Sequence, residues 1–150
     1  MDLCILNIDQ HDIGIPMDAV REVLIRPGIS PLPLSPDYMV GVTGFRGTSL
    51  PVVELIPLLE LERTSESPPR KNTGSRDRVV VCQSKQGIFG IRVDLLDRRN
   101  LSDFSGISDS GAKLVQWLEV PEETPLYLLN LPKLFNQAQE QMKPYLEHVS

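Results

Sequence analysis

Few side chains in this sequence have the type and spacing that catalysis or metal binding requires. Neither His11 nor His148 has a second histidine or a cysteine at the spacing of a zinc site. Nucleophile-elbow, phosphate-loop and dinucleotide-binding patterns are absent from the chain. The remaining candidates for acid–base chemistry are carboxylates near predicted strand ends: Glu22, Glu54, Asp94 and Asp97. Because such residues are usually solvated charges, the sequence predicts no catalytic residue, no metal, no cofactor and hence no enzyme.

The charge of the chain argues against nucleic acid as a partner. The formal net charge is −5 at pH 7, whereas nucleic-acid contact relies on clustered lysine and arginine. Aromatic residues make up 5% of the chain, too few for a platform of stacked bases. One local basic excess occurs within residues 70–78, where polar residues interrupt it. Either a solvated loop or an acidic partner accounts for that excess.

The cysteines and the hydropathy pattern indicate a cytoplasmic protein. Cys4 and Cys82 both lie within apolar runs, which favours buried, unpaired thiols in a reducing compartment. No stretch approaches the roughly 20 apolar residues that a membrane-spanning helix needs. The first residues lack the basic start and the small-residue cleavage site of a signal peptide. We therefore expect a cytoplasmic chain that does not insert into a membrane.

Short runs of β-branched and aliphatic residues, separated by turn residues, predict a β-rich fold. The predicted strands are Leu3 to Ile8, Ile13 to Ile15, Val23 to Ile25, Val40 to Phe45, Leu50 to Leu55, Arg78 to Ser84, Ile88 to Leu95, Leu114 to Val120 and Leu126 to Leu129. Asp18 is placed to cap one helical turn through Arg21, and residues 56–61 fit a short helix or an edge strand. Many strands with helix only at the edges indicate one or two small antiparallel barrels.

Two further segments have clear signatures. Residues 62–77 contain no large apolar side chain, which predicts an exposed loop inserted between two packed units. Near the C-terminus, Asn130 is a good helix cap and Pro132 suits a first turn. Apolar residues then recur at the three-four spacing of one helix face: Leu131, Leu134, Phe135, Ala138, Met142, Tyr145, Leu146 and Val149. We predict a C-terminal α-helix, which Pro144 kinks or ends.

A proline-rich segment combines apolar side chains with an extended backbone. Its large apolar residues are Ile29, Leu32, Leu34, Tyr38 and Met39. One interpretation is a contiguous apolar patch that binds a protein partner. The alternative is that these residues fold back over the barrel, and the sequence leaves both open.

Several short motifs occur in an order and spacing that resemble the CheW-like family. They are Ile15-Pro16, Val20-Arg21-Glu22-Val23, Gly41-Val42-Thr43-Gly44-Phe45-Arg46-Gly47, Pro51-Val52-Val53-Glu54-Leu55, Gly90-Ile91-Arg92-Val93-Asp94 and Tyr127-Leu128-Leu129-Asn130-Leu131. The sequence departs from the family pattern where Gly44 replaces an asparagine and Glu54 an aspartate. The glycines usual before the last strand are also replaced around residues 115–118.

The resemblance implies a mainly β protein of two packed, SH3-like, five-stranded barrels with a C-terminal α-helix. Residues 1–150 would form one CheW-like domain of two intertwined barrels, with the exposed loop at 62–77. The implied function is a non-catalytic adaptor that couples a methyl-accepting-type chemoreceptor to a CheA-type histidine kinase in a taxis, phototaxis or motility pathway. Its partners would be the regulatory domain of the kinase and the cytoplasmic hairpin tip of the receptor, which would recruit it to membrane receptor arrays.

The positions that match the family's receptor-contact motif are Val20, Glu22 and Arg46. Val20 and Glu22 have the same parity on a short extended run, and Arg46 lies between glycines that expose it. Arginine suits bidentate contact with a carboxylate or with carbonyl groups. The alternative for Arg46 is an internal salt bridge to Glu22 or Glu54. At the level of the whole chain, the alternative function is a small barrel that binds a ligand or nucleic acid.

Overall fold

The computed structural model describes residues 2–9, 11–59, 78–85, 87–100, 115–118 and 126–136. Within these ranges the chain is mainly β, as predicted, with ten strands. They are β1 (Asp2–Ile8), β2 (His11–Pro16), β3 (Val20–Ile25), β4 (Met39–Phe45), β5 (Thr48–Val53), β6 (Arg78–Ser84), β7 (Gly87–Val93), β8 (Leu95–Asn100), β9 (Val115–Leu118) and β10 (Leu126–Leu129). Two short helices accompany them: α1 (Leu55–Leu58) and α2 (residues 131–136). No helix in the described ranges is long and apolar enough to cross a membrane.

The strands form two five-stranded sheets. Sheet A has the order β8-β1-β2-β10-β9, and sheet B has the order β3-β6-β7-β5-β4. Sheet B is thus built from consecutive strands of the chain, whereas sheet A joins two strands that precede it to three that follow it.

The prediction of purely antiparallel barrels is wrong in one respect, because each sheet contains one parallel pair. These pairs are β2 with β10 and β5 with β7. Both join strands that no hairpin connects, so a tight turn does not fix their relative direction. The predicted β6–β7 hairpin is present and antiparallel.

An isolated bridge joins the segment after β3, one edge strand of sheet B, to β4, the other edge strand. Ser30, which follows β3, exchanges two backbone hydrogen bonds with Val42 of β4, with N···O distances of 2.8 and 2.9 Å. Gly41 permits this approach, because a Cβ atom there would lie 2.3 Å from the carbonyl oxygen of Ser30. The bridge is the kind of contact that closes a sheet into a barrel. Complete SH3-like closure of both sheets stays a prediction.

The main core lies between the two sheets. β1 and β6 each carry four consecutive buried residues, Leu3 to Leu6 and Val79 to Cys82, as strands covered on both faces do. Side chains of both sheets meet in one apolar cluster that includes Cys4, Leu6, Ile13, Ile15, Val80, Cys82, Phe89 and Ile91. A smaller cluster on the other face of sheet B contains Phe45, Leu50 and Val81. Both cysteines are free and buried, as predicted.

Asp94 marks the point where the chain passes from sheet B to sheet A. The sequence predicts one strand from Ile88 to Leu95, but the structure divides it here into β7 and β8. The Asp94 N–H donates to the carbonyl oxygen of Asn7 at 2.9 Å. Its carboxylate accepts a hydrogen bond from the N–H of Asp9 in the β1–β2 turn, also at 2.9 Å. A carboxylate considered for acid–base chemistry therefore has a structural partner.

Replacement of Asp94 by alanine is expected to lower the free energy of unfolding by about 1.5–3 kcal/mol, because the charged acceptor of the Asp9 N–H is lost. Asp94→Asn keeps an oxygen acceptor at the same place, so it is expected to lose less than half of that amount. Urea denaturation of the two variants measures both values. Equal losses in the two variants would contradict the hydrogen-bond explanation.

The predicted C-terminal helix is confirmed as far as residue 136. The Asn130 side chain caps it, since its Oδ1 accepts the N–H of Lys133 at 3.1 Å. Although α2 follows a strand of sheet A, Phe135 packs against Phe89 of sheet B, with ring centroids 4.8 Å apart in an edge-to-face arrangement. The helix therefore holds the two sheets together. The remaining predicted helix positions, from Ala138 to Val149, and the predicted loop at 62–77 lie outside the described residues.

The expected cap at Asp18 is not observed. A 3-10 turn spans Met17–Ala19, preceded by Pro16 at the cap position, and no side chain caps it. The turn ends at Ala19 because Val20 already has an extended backbone and pairs with β6. Residues 56–61 were open to two interpretations, and the helical one is right for the part that α1 covers.

Candidate functional site

Arg46 occupies a tight turn between β4 and β5. Phe45 and Thr48 are paired across the two strands, so the loop consists of Arg46 and Gly47 alone. Both loop residues have positive φ angles, +48° and +81°, which are typical of a type I′ hairpin turn. The Arg46 side chain is 68% exposed. The sharp turn thus holds the arginine at the tip of the β4–β5 hairpin, where most of its side chain is exposed.

Glu22 lies beside Arg46 on the same surface. The closest atoms, Arg46 Nη2 and Glu22 Oε2, are 3.9 Å apart, and the Glu22 side chain is 42% exposed. Arg46 is therefore paired with Glu22, as the alternative interpretation expected. The pair lies at the surface, however, and not inside the protein. Exposed ion pairs of this kind contribute about 0–1 kcal/mol to stability. The fold does not depend on this pair.

Val20 does not share that surface. Across the β3–β6 ladder, Val20 is paired with Cys82 and Glu22 with Val81, so Arg21 forms a β-bulge between them. Because Cys82 and Val81 are adjacent, they face opposite sides of sheet B, and so do Val20 and Glu22. Val20 is half-buried against the core between the sheets. The expectation from their spacing that Val20 and Glu22 lie on the same face of β3 is therefore wrong.

The proline-rich segment folds back over sheet B, which decides between its two interpretations. Tyr38 and Met39 are buried, and Leu32 packs against the main core. Hydrogen bonds fasten the segment at both ends: Thr43 Oγ1 donates to the Gly28 carbonyl at 2.6 Å, and the Glu54 N–H donates to the Tyr38 carbonyl at 2.7 Å. One of its large apolar side chains, Leu34, is strongly exposed, at 94%. A contiguous apolar patch is therefore not present in this segment.

The two buried thiols are poor nucleophiles and poor metal ligands at neutral pH. Burial, and secondarily the charge of Cys4, raises the pKa of Cys82 to about 12. The pKa of Cys4 is also raised, by burial and then by the negative charge of Asp97. Both groups are thus protonated near pH 7, whereas the reactive form of cysteine is the thiolate. In the described ranges, no group of three or more His, Cys, Asp and Glu side chains is arranged to hold a metal ion.

The raised pKa of Cys82 predicts a loss of stability at alkaline pH. Above pH 9 the unfolded chain releases the thiol proton while the folded chain retains it up to about pH 12. The free energy of unfolding is therefore expected to fall by about 1.4 kcal/mol per pH unit across this window from this group alone. Cys82→Ala is expected to be less stable at pH 7 and to have a shallower slope, because only the contribution of Cys4 remains. Urea denaturation of both proteins between pH 8 and 11 tests it, and equal slopes would contradict the assignment.

Residues 2–139 match the CheW-like domain. The chain belongs to the CheW-like family. It is 26% identical over 136 residues to chemotaxis protein CheW of Thermotoga maritima, covering 87% of this chain and 85% of that protein. It is 34% identical over 82 residues to protein FrzA of Myxococcus xanthus, covering 55% of this chain and about half, 47%, of FrzA.

A solved structure shares the fold of this CheW-like chain. The crystal structure of the scaffolding protein TtCheW from Thermoanaerobacter tengcongensis superposes with a TM-score of 0.68. The superposition covers 89% of this chain and 91% of that one, at 16% sequence identity. The mainly β fold of this chain is therefore common to both proteins.

Phe45 is a neighbour of the site that the sequence did not single out. The Arg46 guanidinium carbon lies 5.3 Å from the centroid of its ring, within the range of a cation–π contact. The ring is 6% exposed and belongs to the small cluster of sheet B. The sequence feature that could have identified Phe45 is its position directly before the Arg-Gly pair of the CheW-like motif.

Gly44, where the CheW-like pattern has an asparagine, has room for a side chain. A Cβ atom there would meet nothing within 4 Å, and the residue is exposed in β4. Gly44→Asn is therefore expected to be tolerated and to raise the free energy of unfolding by about 0.5–1 kcal/mol, because glycine loses more backbone entropy on folding. Thermal denaturation measures this gain. A lower stability in Gly44→Asn would show that the position has a constraint beyond backbone space.

Proposed function

We propose that this CheW-like chain is a non-catalytic adaptor that couples a chemoreceptor to a CheA-type histidine kinase. The observation that carries the proposal is the family match over residues 2–139, and it is supported by the exposure of Arg46 and Glu22, two of the positions that match the family's receptor-contact motif. Two similar proteins support the proposal by their names, since one is called a chemotaxis protein and the other a scaffolding protein.

The surface that Arg46 and Glu22 form suits the tip of a receptor hairpin. The side chains present opposite charges next to each other, and each is substantially exposed. An arginine offers up to five N–H donors to a partner, and its 3.9 Å contact with Glu22 is too long to be a hydrogen bond. A partner that carries a carboxylate or free carbonyl groups can therefore bind Arg46 without breaking a strong internal interaction. Val20 is expected to contribute indirectly, by packing β3 against the core.

The regulatory domain of the kinase is the second partner in this proposal. The proposed adaptor works in the cytoplasm, and receptors recruit it to membrane arrays. As an adaptor, it is expected to transfer no phosphoryl group itself. The output pathway is a taxis or motility response.

Reconstitution of the three components tests the proposal. The probes are the cytoplasmic hairpin-tip fragments of the chemoreceptors and the CheA-type kinases of the same genome. We expect receptor control of kinase autophosphorylation only when this chain is present, and no labelled phosphate on the chain itself. Kinase activity that is indifferent to the chain, with neither partner retained on it, would overturn the proposal. Binding of single-stranded DNA in its place would favour the alternative of a nucleic-acid-binding barrel.

A further inference from the structure

The turn that carries Arg46 has a backbone that disfavours arginine. In a type I′ turn the first loop residue has a left-handed backbone, for which asparagine, aspartate and glycine are preferred. Other residues in this conformation crowd their Cβ atom against the backbone. Arg46 has this conformation, with a φ angle of +48°, and Gly47 follows it with a φ angle of +81°. The second position thus holds the preferred residue, and the first does not.

The guanidinium of Arg46 is held from two sides. The Phe45 ring lies 5.3 Å from the guanidinium carbon, and the Glu22 carboxylate is 3.9 Å from Nη2. The ring itself is fixed, because Phe45 packs with Leu50 and Val81 in the small cluster of sheet B. A rigid ring therefore restricts an arginine that is otherwise exposed. Among the described residues, this contact and the Glu22 pair are what orient the guanidinium.

We infer that the β4–β5 turn holds Arg46 in a strained backbone conformation. Phe45 is then the positioning residue that orients the Arg46 guanidinium toward a carboxylate of the receptor. This inference rests on the proposed function for the identity of the partner. The backbone strain lowers the stability of the fold. It places the Arg46 side chain where Phe45 and Glu22 restrict it, so that the arginine loses less conformational entropy when it binds a partner. Residues held in uncommon backbone conformations often lie at binding sites for this reason.

The strain is tested with a matched pair of variants, Arg46→Asn and Arg46→Gln. Both remove the charge, the Glu22 pair and the cation–π contact, and both carry an amide. They differ by one methylene group and in how well their backbone tolerates the left-handed conformation. Arg46→Asn is expected to melt about 2–4 °C above Arg46→Gln. Equal melting temperatures, or the reverse order, would contradict the inference that the backbone at residue 46 is strained, whether or not the chain binds a receptor.

The positioning role is tested by a double-mutant cycle on binding of the receptor hairpin-tip fragment. Phe45→Leu is expected to weaken binding about two- to fivefold in the wild-type background, because the ring contact is lost. In the Arg46→Gln background it should have no further effect, because there is no guanidinium left to orient. Phe45→Tyr, which keeps the ring, should bind as the wild type does.

Two further outcomes decide between positioning and mere packing. Ile13→Val shortens a buried side chain of the main core in sheet A, outside the cluster of Phe45, and it should lower the melting temperature while the affinity of the folded protein is unchanged. If Phe45→Leu weakens binding equally in both backgrounds, Phe45 is a packing residue and the positioning role is overturned. If the wild-type chain binds none of the receptor fragments, the proposed function fails and the positioning role with it, whereas the melting temperatures still report on the strain of the turn.

Discussion

Charge reversal of Arg46 to glutamate is expected to abolish receptor control of the kinase while the protein remains folded. The side chain is 68% exposed and its partner Glu22 is 42% exposed, so the pair adds about 0–1 kcal/mol to stability. An interface charge that is left without its partner costs about 2–5 kcal/mol of binding free energy. That corresponds to a weakening of the receptor complex by about thirty-fold or more.

The charge-swapped double variant is the sharpest control for Arg46→Glu. Combined with Glu22→Lys, it restores an ion pair at the same place with the opposite polarity. Stability should then return to that of the wild type, whereas receptor binding should remain lost because the partner meets the wrong charge at each position. Thermal melting and co-sedimentation with the receptor fragment measure the two effects. A variant Arg46→Glu that melts early, and whose folded fraction binds receptor normally, would make Arg46 a structural residue.

Gly41→Ala is expected to be among the most destabilising single-methyl changes in the chain. A Cβ atom at this position would lie 2.3 Å from the Ser30 carbonyl oxygen, and the backbone φ angle is +151°. Backbone strain and the displaced Ser30–Val42 bridge together are expected to lower the free energy of unfolding by about 3 kcal/mol. Urea denaturation measures the loss.

Gly28→Ala is the matched control for this change. Gly28 lies in the same segment, two residues before Ser30, and a Cβ atom there would meet nothing within 4 Å. Its substitution should alter stability by no more than about 0.5 kcal/mol. Comparable losses at the two glycines would mean that the close approach of Ser30 to β4 is not what constrains Gly41.

The existence of the strands was predictable from the sequence because most of them are bounded by turn residues. The run Lys85, Gln86 and Gly87 predicts the hairpin of β6 and β7, whose pairing extends to Ser84 with Gly87. The split at Asp94 was not predictable in the same way, since the apolar pattern runs through it from Ile88 to Leu95. What divides the run is a tertiary hydrogen bond to the Asp9 N–H, whose partner is 85 residues away.

The candidate site shows the same limit on a smaller scale. The motif places Arg46 beside glycine in a turn, and the structure agrees. The bulge at Arg21 turns Val20 away from Glu22, and it depends on how β3 registers against β6 rather than on local composition. Phe45 reads as an ordinary core residue in the sequence, because a cation–π contact has no signature beyond adjacency. The local pattern therefore predicted that Arg46 lies in an exposed turn, and strand pairing decided which residues share its face of sheet B.

The interrupted order of sheet A has a consequence for how the chain reaches its native state. All strands of sheet B lie between Val20 and Val93, so this sheet can be completed without the flanking segments, whereas β1 and β2 stay incomplete until β8 and β10 arrive. During that interval the apolar faces of β1 and β2 lack their final cover, which is when such strands are most prone to mispair. β10 then lies beside β2 and leads directly into α2, where Phe135 contacts Phe89. The same short stretch that completes one sheet also covers it against the other, so we expect the pairing of β10 and the packing of α2 to form together.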